Sequence, residues 1–193
     1  AMKVCDTAVM VLKSAEGVEV GSEVSGKFVN EFGLPSAILI NKVDNEHSTF
    51  EETLSKAKQR LSSGAIAVTF PAIEGILFNT VVDVLKMKAF TYGDAGSKKI
   101  TEAEIPENLK AKAEEYRTQL IEKIAETNEE LMNKYFEEGL LNDSDIETGL
   151  KSAIIGRSLS PVFAISATKA VGINNFLDFM ASYFPSPVDR GGE

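Results

Sequence analysis

The chain has 193 residues, of which 44% are apolar and 25% are charged, and its formal net charge is −9. Such a chain folds around one hydrophobic core, or one core with a smaller second domain. The negative net charge excludes non-specific electrostatic binding of nucleic acid, and the single cysteine, Cys5, excludes an internal disulfide. No apolar stretch approaches the roughly 20 residues that a membrane span requires. We therefore expect a cytoplasmic globular protein that binds neither nucleic acid directly nor a membrane.

The first third of the sequence alternates between strand and helix patterns. Residues 7–12 and 36–40 are short apolar runs, typical of strands that are buried on both faces. An amphipathic pattern predicts a helix over 22–32, and a capping box at 48–51 predicts the start of a second helix that ends near Leu61. This alternation predicts a parallel sheet covered by helices.

The pattern then changes, which indicates an inserted subdomain. Residues 65–72 and 79–92 are rich in Val, Ile, Phe and Thr, and they predict antiparallel strands, followed by a loop over 93–99. Three helices are expected next. The first spans 106–127, and the second begins at a cap over 127–130 and ends at Phe136. The third begins at a capping box over 144–147 and ends at Ile155. A third apolar run at 161–165 and an amphipathic stretch at 173–183 return to the first pattern. We expect residues 3–63 and 159–188 to form one partial domain and residues 64–158 to form an α+β insertion.

The tetrapeptide Asn41-Lys42-Val43-Asp44 directly follows the apolar run that ends at Ile40. A carboxylate just past a strand end can accept two hydrogen bonds from guanine, one from the ring N–H and one from the exocyclic amine, which adenine does not offer. Such charge-assisted bonds contribute about 1.5–3 kcal/mol each. The lysine stem can lie over the purine face, and the asparagine can connect this loop to a neighbouring one. An ordinary turn with a helix cap is the alternative, but ligands of open α/β sheets do collect at such strand ends.

A second polar loop, Ser166-Ala167-Thr168, follows the run at 161–165. In guanine-nucleotide-binding folds a loop at this place directs a backbone N–H to the guanine O6. Alone, Ser-Ala could equally begin a helix. The two loops together predict the base-recognition half of a guanine nucleotide site.

Two other candidates are weaker. Residues 21–28 have the spacing of a phosphate loop except at Phe28, where Ser or Thr would ligate magnesium, and the segment lies inside the first predicted helix with Glu23 to repel phosphate. A phosphate-loop enzyme using this segment would need magnesium-dependent turnover of ATP or GTP. The single histidine, His47, has no Cys or His companions nearby in the sequence and predicts a solvated loop residue.

Four glutamates, Glu115, Glu122, Glu126 and Glu129, are spaced to share one face of the long predicted helix. A solvated face is one interpretation. A docking surface for a basic partner is the other.

These motifs make the chain resemble the G domain of bacterial elongation factor G, the translocation GTPase of the ribosome. The resemblance extends over nearly the whole chain and is based on residues 6–20, 41–44, 80–89, 114–117, 128–135, 166–167 and 183–187. Residues 80–89 and the following helices resemble the inserted G′ subdomain of that family. The resemblance implies an incomplete P-loop-NTPase-type parallel sheet with helices on both faces and an inserted α+β subdomain.

The resemblance also implies a function for the full-length protein: binding of GTP or GDP with Mg²⁺, GTP hydrolysis, and ribosomal translocation. Asn41, Lys42, Asp44, Ser166, Ala167 and Thr168 would contact the nucleotide, although this family often has other residues in place of Thr168. The four glutamates would contact the ribosomal stalk protein, since acidic residues provide electrostatic complementarity to a basic patch.

The family's phosphate loop and both switches would precede residue 4. We therefore expect this chain alone to bind no nucleotide tightly and to be inactive in hydrolysis. The alternative is an interaction module that binds the stalk protein without any nucleotide. Since the neighbouring inner strand would also precede residue 4, strand 7–12 is expected to be an apolar edge that pairs with a second copy to form a homodimer.

Overall fold

The computed structural model of the protein describes residues 2–93, 99–139 and 141–189. Its strands are β1 (Ala8–Lys13), β2 (Ser36–Asn41), β3 (Ala65–Ala67), β4 (Thr69–Pro71), β5 (Thr80–Asp83), β6 (Lys88–Tyr92), β7 (Ile100–Ala103) and β8 (Ser160–Ala164). Its α-helices are α1 (Val20–Glu31), α2 (Phe50–Arg60), α3 (Glu107–Ala125), α4 (Glu129–Glu138), α5 (Asp143–Ile155) and α6 (Ile173–Tyr183). A short 3-10 helix, Met2–Val4, precedes β1.

A parallel sheet with the strand order β1-β2-β8-β3 forms the centre of the fold. β8 lies beside β2, with Ile38 opposite Val162, although the two strands are far apart in sequence. All five residues of β8 and all but the last residue of β2 are buried, as continuous apolar runs predict. This adjacency places the carboxyl ends of β2 and β8 at the same edge of the sheet.

The first strand differs from its prediction. Met10 and Leu12 of β1 are buried, but Val9 and Val11 are 41% and 57% exposed, so the prediction that both faces are buried is wrong. Within the described residues β1 is the outer strand of the sheet and pairs only with β2. The exposed valines are therefore part of an uncovered apolar edge.

A second sheet is antiparallel and has the order β4-β5-β6-β7, and only one residue separates its strand β4 from β3 of the first sheet. Ala65–Ala67 pairs in parallel with β8, so the prediction of an antiparallel strand over 65–72 is wrong for these three residues. Val68 joins the sheets, because its N–H donates to Val162 O at 2.8 Å while its carbonyl accepts from Val84 N at 3.0 Å. The predicted antiparallel hairpin over 79–92 is confirmed as β5 and β6. The predicted loop at 93–99 lies almost wholly outside the described residues.

Two of the predicted helix caps are wrong. At the start of α2, Thr49 makes no capping bond, and Glu51 instead contacts Tyr116 and Lys112 of α3. The Phe50 N–H is capped by Glu74, whose Oε2 accepts it at 2.9 Å.

The start of α5 differs as well. Asn142 caps this helix by accepting the Asp145 N–H at 2.9 Å, so α5 begins before the capping box expected at 144–147. At α4 the cap is Asn128, which accepts the Glu130 N–H at 2.8 Å, within the predicted segment 127–130.

One continuous apolar core connects the two sheets and the helices. Its largest fully buried side chains include Phe50, Phe70, Phe78, Phe163 and Leu120. Burial of an aromatic side chain of this kind contributes about 1.5–3 kcal/mol to the hydrophobic driving force. Of the helices in the described ranges, none combines the length and the apolar character that a membrane crossing requires.

Candidate functional site

The two polar loops predicted from the sequence are in direct contact. Asn41, the last residue of β2, accepts a hydrogen bond at its Oδ1 from the backbone N–H of Ala167 at 3.0 Å, across 126 residues of sequence. Next to it, the Val43 N–H donates to Ile165 O at 3.3 Å. Because β2 and β8 are parallel neighbours, both loops leave the sheet at the same edge. The geometry therefore brings two distant segments together as one candidate site.

Lys42 turns the first loop. Its φ angle of 61° is in the left-handed region, which a non-glycine residue rarely adopts. Its backbone N–H donates to Asn41 Oδ1 at 2.8 Å, so this single oxygen accepts hydrogen bonds from both loops. Unusual backbone conformations of this kind concentrate at functional sites.

Asp44 has a carboxylate that is available to a ligand. The side chain is half-buried, and among the residues that the structure describes none forms a hydrogen bond or an ion pair with it. The backbone around it is held firmly, because Val43 is fully buried and the Asn45 N–H donates to Lys42 O at 3.0 Å. A partly sheltered carboxylate with unused acceptor positions favours a donor-rich ligand.

The second loop is closed on itself. Ser166 and Val171 exchange two backbone hydrogen bonds of 3.0 Å each, and the buried Ser166 hydroxyl oxygen accepts the Lys169 N–H at 3.2 Å. Ala167 and Thr168 are exposed at its tip. The alternative that Ser-Ala begins a helix is wrong, because α6 starts only at Ile173.

Gly172 connects this loop to α6. Its φ angle is 76°, and a Cβ atom at this position would lie 2.3 Å from the carbonyl oxygen of Ala164. Only glycine fits such a close approach to the end of β8. The residue that joins the loop to α6 is therefore packed against the end of β8.

A third segment, the connection 72–79 between β4 and β5, borders the site and was not predicted. Its Gly75 N–H donates to Val43 O at 2.9 Å, and its Ile76 carbonyl accepts from Lys169 Nζ at 2.5 Å. It therefore contacts both loops. In the sequence only Gly75, whose φ angle is 83°, marks a turn here.

The alternative phosphate-loop segment does not fit phosphate. Residues 21–28 lie within α1, where the backbone N–H groups from Glu23 onward are used in helical hydrogen bonds, and Glu23 forms an ion pair with Arg60 at 3.2 Å. That interpretation is therefore wrong. Across the ranges 2–93, 99–139 and 141–189 no group of three or more His, Cys, Asp or Glu could hold a metal ion. His47 is an exposed loop residue.

The acidic residues of the predicted docking face do not share one helix. Glu115 and Glu122 are exposed on α3, and Glu126 is its C-terminal cap, in an ion pair with Lys123 at 2.5 Å. Glu129 begins α4, so its prediction on the same helical face is wrong. The helix ends at Ala125, earlier than the sequence pattern indicates.

Comparison with known proteins agrees with this architecture. The sequence model of the family described as "Elongation factor Tu GTP binding domain" matches residues 1–186. The chain therefore belongs to this family of GTP-binding domains. The predicted α/β fold, a parallel sheet with covering helices as in the G domains of P-loop NTPases, is confirmed.

A solved structure is also similar. The crystal structure of the protein ttk003000868 from Thermus thermophilus superimposes with a TM-score of 0.89 at 26% sequence identity. The match covers 100% of this chain and 28% of the Thermus chain, so this chain spans less than a third of the length of that protein.

Proposed function

We propose that this chain is the base-recognition part of a translational GTPase similar to elongation factor G, and that Asp44 selects guanine. The observation that supports this most directly is the hydrogen bond between Asn41 and Ala167, which joins the two loops beside the unpartnered Asp44 carboxylate. Membership in the GTP-binding domain family supports the same assignment.

In the proposed complex the Asp44 carboxylate accepts the guanine ring N–H and the exocyclic amine. The exposed Lys42 stem covers one face of the purine. The Ala167 N–H, which donates to Asn41 in this structure, is shared with the guanine O6. Ser166 and Thr168 shape the remainder of this loop. Adenine is not bound at Asp44, because it has neither the ring N–H nor the 2-amino group that would donate to the carboxylate.

In the full-length protein the site would hold GTP or GDP with Mg²⁺, and hydrolysis would drive a step of protein synthesis on the ribosome. The lone cysteine and the family suit a cytoplasmic location. The chain by itself should bind the base without holding the phosphates, because the candidate phosphate loop 21–28 is part of helix α1. We expect GDP to bind it more weakly than about 1 mM, equivalent to less than about 4 kcal/mol.

Base selection can be tested by NMR titration of the chain with GMP, AMP and xanthosine monophosphate. Wild type should prefer GMP over AMP. Asp44→Asn should lose GMP and gain xanthosine monophosphate, since the Asn amide can donate to the xanthine C2 carbonyl while its oxygen still accepts the ring N–H. Glu46→Gln, at an exposed carboxylate of the same loop, is the matched control and should leave the preference unchanged. Equal binding of GMP and AMP by wild type would refute the assignment.

The affinity of GDP needs a separate measurement. Calorimetry with and without Mg²⁺ should detect no micromolar site. A dissociation constant in the micromolar range would show that this chain has a phosphate-binding site of its own.

A second candidate function is docking of the ribosomal stalk protein on helices α3 and α4. The favouring observation is that Glu115 and Glu122 are exposed, and that Glu122 has no partner among the residues described here. Exchanging Glu122 and Glu126 for Lys should abolish binding to the isolated stalk protein. Exchanging Glu19 and Glu31 for Lys makes the same change in net charge on the parallel-sheet domain and should have little effect. Unchanged binding by the first variant would refute the docking surface.

A further inference from the structure

A buried polar cluster lies where the antiparallel sheet meets the start of α6. The Tyr92 hydroxyl donates to Asn175 Oδ1 at 2.5 Å, and Asn175 Nδ2 donates to Asp83 Oδ2 at 3.2 Å. The exposed fractions of the three residues are only 5–7%. Buried hydrogen bonds of this kind fix relative positions, because breaking one leaves unsatisfied polar groups away from water.

The cluster joins parts of the chain that are distant in sequence. Asp83 ends β5 and Tyr92 ends β6, whereas Asn175 is in the first turn of α6. Asp83 is itself fixed to the β5–β6 turn, because its Oδ1 accepts the Leu85 and Lys86 N–H groups at 3.0 and 2.9 Å. The first turn of α6 is therefore attached to a rigid hairpin of the other sheet.

The Tyr92 hydroxyl lies at the start of α6, because its acceptor Asn175 belongs to the first turn of that helix. Burial raises the pKa of Tyr92 to about 12, so the hydroxyl keeps its proton at neutral pH and remains a hydrogen-bond donor. A side chain of the antiparallel sheet therefore holds the first turn of α6.

The loop 166–171 ends where this helix begins. Gly172 packs against the end of β8, where an added Cβ would lie 2.3 Å from the Ala164 carbonyl oxygen, and the Phe176 N–H donates back to the Gly172 carbonyl at 3.2 Å. A displacement of the first turn of α6 would therefore displace Val171 and its partner Ser166. Ala167, which donates to Asn41, is the next residue.

We infer that Tyr92 and Asn175 are positioning residues for the guanine loop 166–171, so that the antiparallel sheet determines how tightly the base is held. This inference rests on the proposed guanine recognition. It has a consequence for regulation: a partner that shifts the antiparallel sheet changes base affinity, and the base changes the affinity of that partner by the same factor.

The test uses Tyr92→Phe, which removes only the hydroxyl group. Amide hydrogen exchange, measured by NMR without any ligand, should become about tenfold faster at Ser166 and Val171. Exchange at Ile38 and Ile40 of β2 should not change. Tyr183→Phe makes the same chemical change at the other end of α6 and is the matched control. Asn175→Ala removes the acceptor of the same hydrogen bond. This variant takes the place of Tyr92→Phe if Tyr92→Phe does not fold.

Nucleotide titration supplies a second measurement. Tyr92→Phe should weaken GMP and inosine monophosphate equally, by about threefold, because both ligands present O6 to the displaced loop. The ratio between the two ligands, which reports the 2-amino group at Asp44, should be unchanged. In Asp44→Asn the ratio of GMP affinity to inosine monophosphate affinity should approach one.

The outcomes separate the two proposals. Wild-type exchange rates at Ser166 and Val171 in Tyr92→Phe, or the same acceleration in Tyr183→Phe, would overturn the positioning role. Equal binding of GMP and AMP by wild type would refute guanine recognition, and the exchange data would then still decide whether Tyr92 orders the loop.

Discussion

The carboxylate of Glu74 accepts the backbone N–H of Phe50 at 2.9 Å, and so caps helix α2 from a connection 24 residues further along the chain. The same carboxylate oxygen accepts a hydrogen bond from the Ser48 hydroxyl. The neighbouring Gly75 N–H donates to Val43 O. The connection 72–79 therefore holds the chain on both sides of Asp44.

This cap gives the first prediction. Glu74→Ala should lower the free energy of unfolding by about 1–2 kcal/mol, because it leaves the first N–H of α2 without its partner and removes one of the hydrogen bonds of the Ser48 hydroxyl. Urea denaturation measures the loss. Glu52→Ala removes the same charge from an exposed ion pair with Lys56 and should cost only about 0.3–0.5 kcal/mol. Equal losses in the two variants would argue against the cap.

Helices α6 and α2 show which features a sequence can predict. The bounds of α6 agree with the predicted 173–183, because its amphipathic period and the preceding Gly172 are both local signals. The cap at Phe50 could not be predicted, since its partner Glu74 is brought near only by the tertiary fold. Similarly, no local signal distinguishes Ala65–Ala67 from the antiparallel strand that begins at Thr69.

A second prediction concerns the start of α5. Asn142→Ala should destabilise the protein by about 1 kcal/mol, because Asn142 Oδ1 accepts the Asp145 N–H. Ser144→Ala, at the position that the sequence pattern favours, should change stability by less than about 0.5 kcal/mol. The comparison is made by urea denaturation at one pH. A larger loss for Ser144→Ala would place the cap where the sequence pattern puts it.

The candidate site was predictable in composition and in one contact, because Asn41 was expected to connect its loop to a neighbouring loop. Asn41, Lys42 and Asp44 were identified because strand ends followed by this residue pattern suit guanine. The hydrogen bond from Ala167 to Asn41 depends on β8 lying next to β2, which a pattern within either segment does not contain. The left-handed conformation of Lys42 is equally hidden, since lysine gives no sign of it.

A third prediction compares two glycines with similar backbone angles. Gly172→Ala should be strongly destabilising, because its Cβ would lie 2.3 Å from the Ala164 carbonyl in addition to the strain of φ 76°. Gly139→Ala, at φ 73° with open space around it, should cost only the left-handed strain of about 1–2 kcal/mol. Thermal unfolding of the two variants provides the comparison. Similar melting temperatures would show that β8 moves away easily.

A fourth prediction is a pH dependence that originates at Asp83. Burial raises the pKa of this carboxyl above its ordinary value of 3.8, although hydrogen bonds from Lys86, Asn175 and Leu85 lower it in part. Between 3.8 and the raised pKa the folded state binds more protons than the unfolded state. The free energy of unfolding contributed by Asp83 is therefore greatest below pH 3.8 and decreases as pH rises through the folded pKa.

Asp83→Asn should remove this contribution. The stability of wild type relative to the variant should fall with rising pH, as measured by urea denaturation at a series of pH values. Asp189→Asn is a control of opposite sign, because hydrogen bonds from Ser186 lower the pKa of Asp189, so its contribution is lost as pH falls. A constant difference between wild type and Asp83→Asn would contradict the prediction.

The last prediction concerns the open edge of the parallel sheet. Val9 and Val11 are exposed on β1, whose outer backbone groups have no strand partner among the described residues. An apolar strand with an unpaired edge is a template for pairing with another chain. We expect the chain to associate through β1, as a homodimer in which the edges of two copies pair.

Light scattering at increasing concentration should show a mass above that of the monomer. Val11→Lys should restore the monomer, since a charged side chain on an edge strand prevents pairing. Val24→Lys places the same charge on an exposed valine of α1 and should not change the association. A wild-type chain that stays monomeric at high concentration would rule out pairing through β1, because the edge would then be exposed without any tendency to pair.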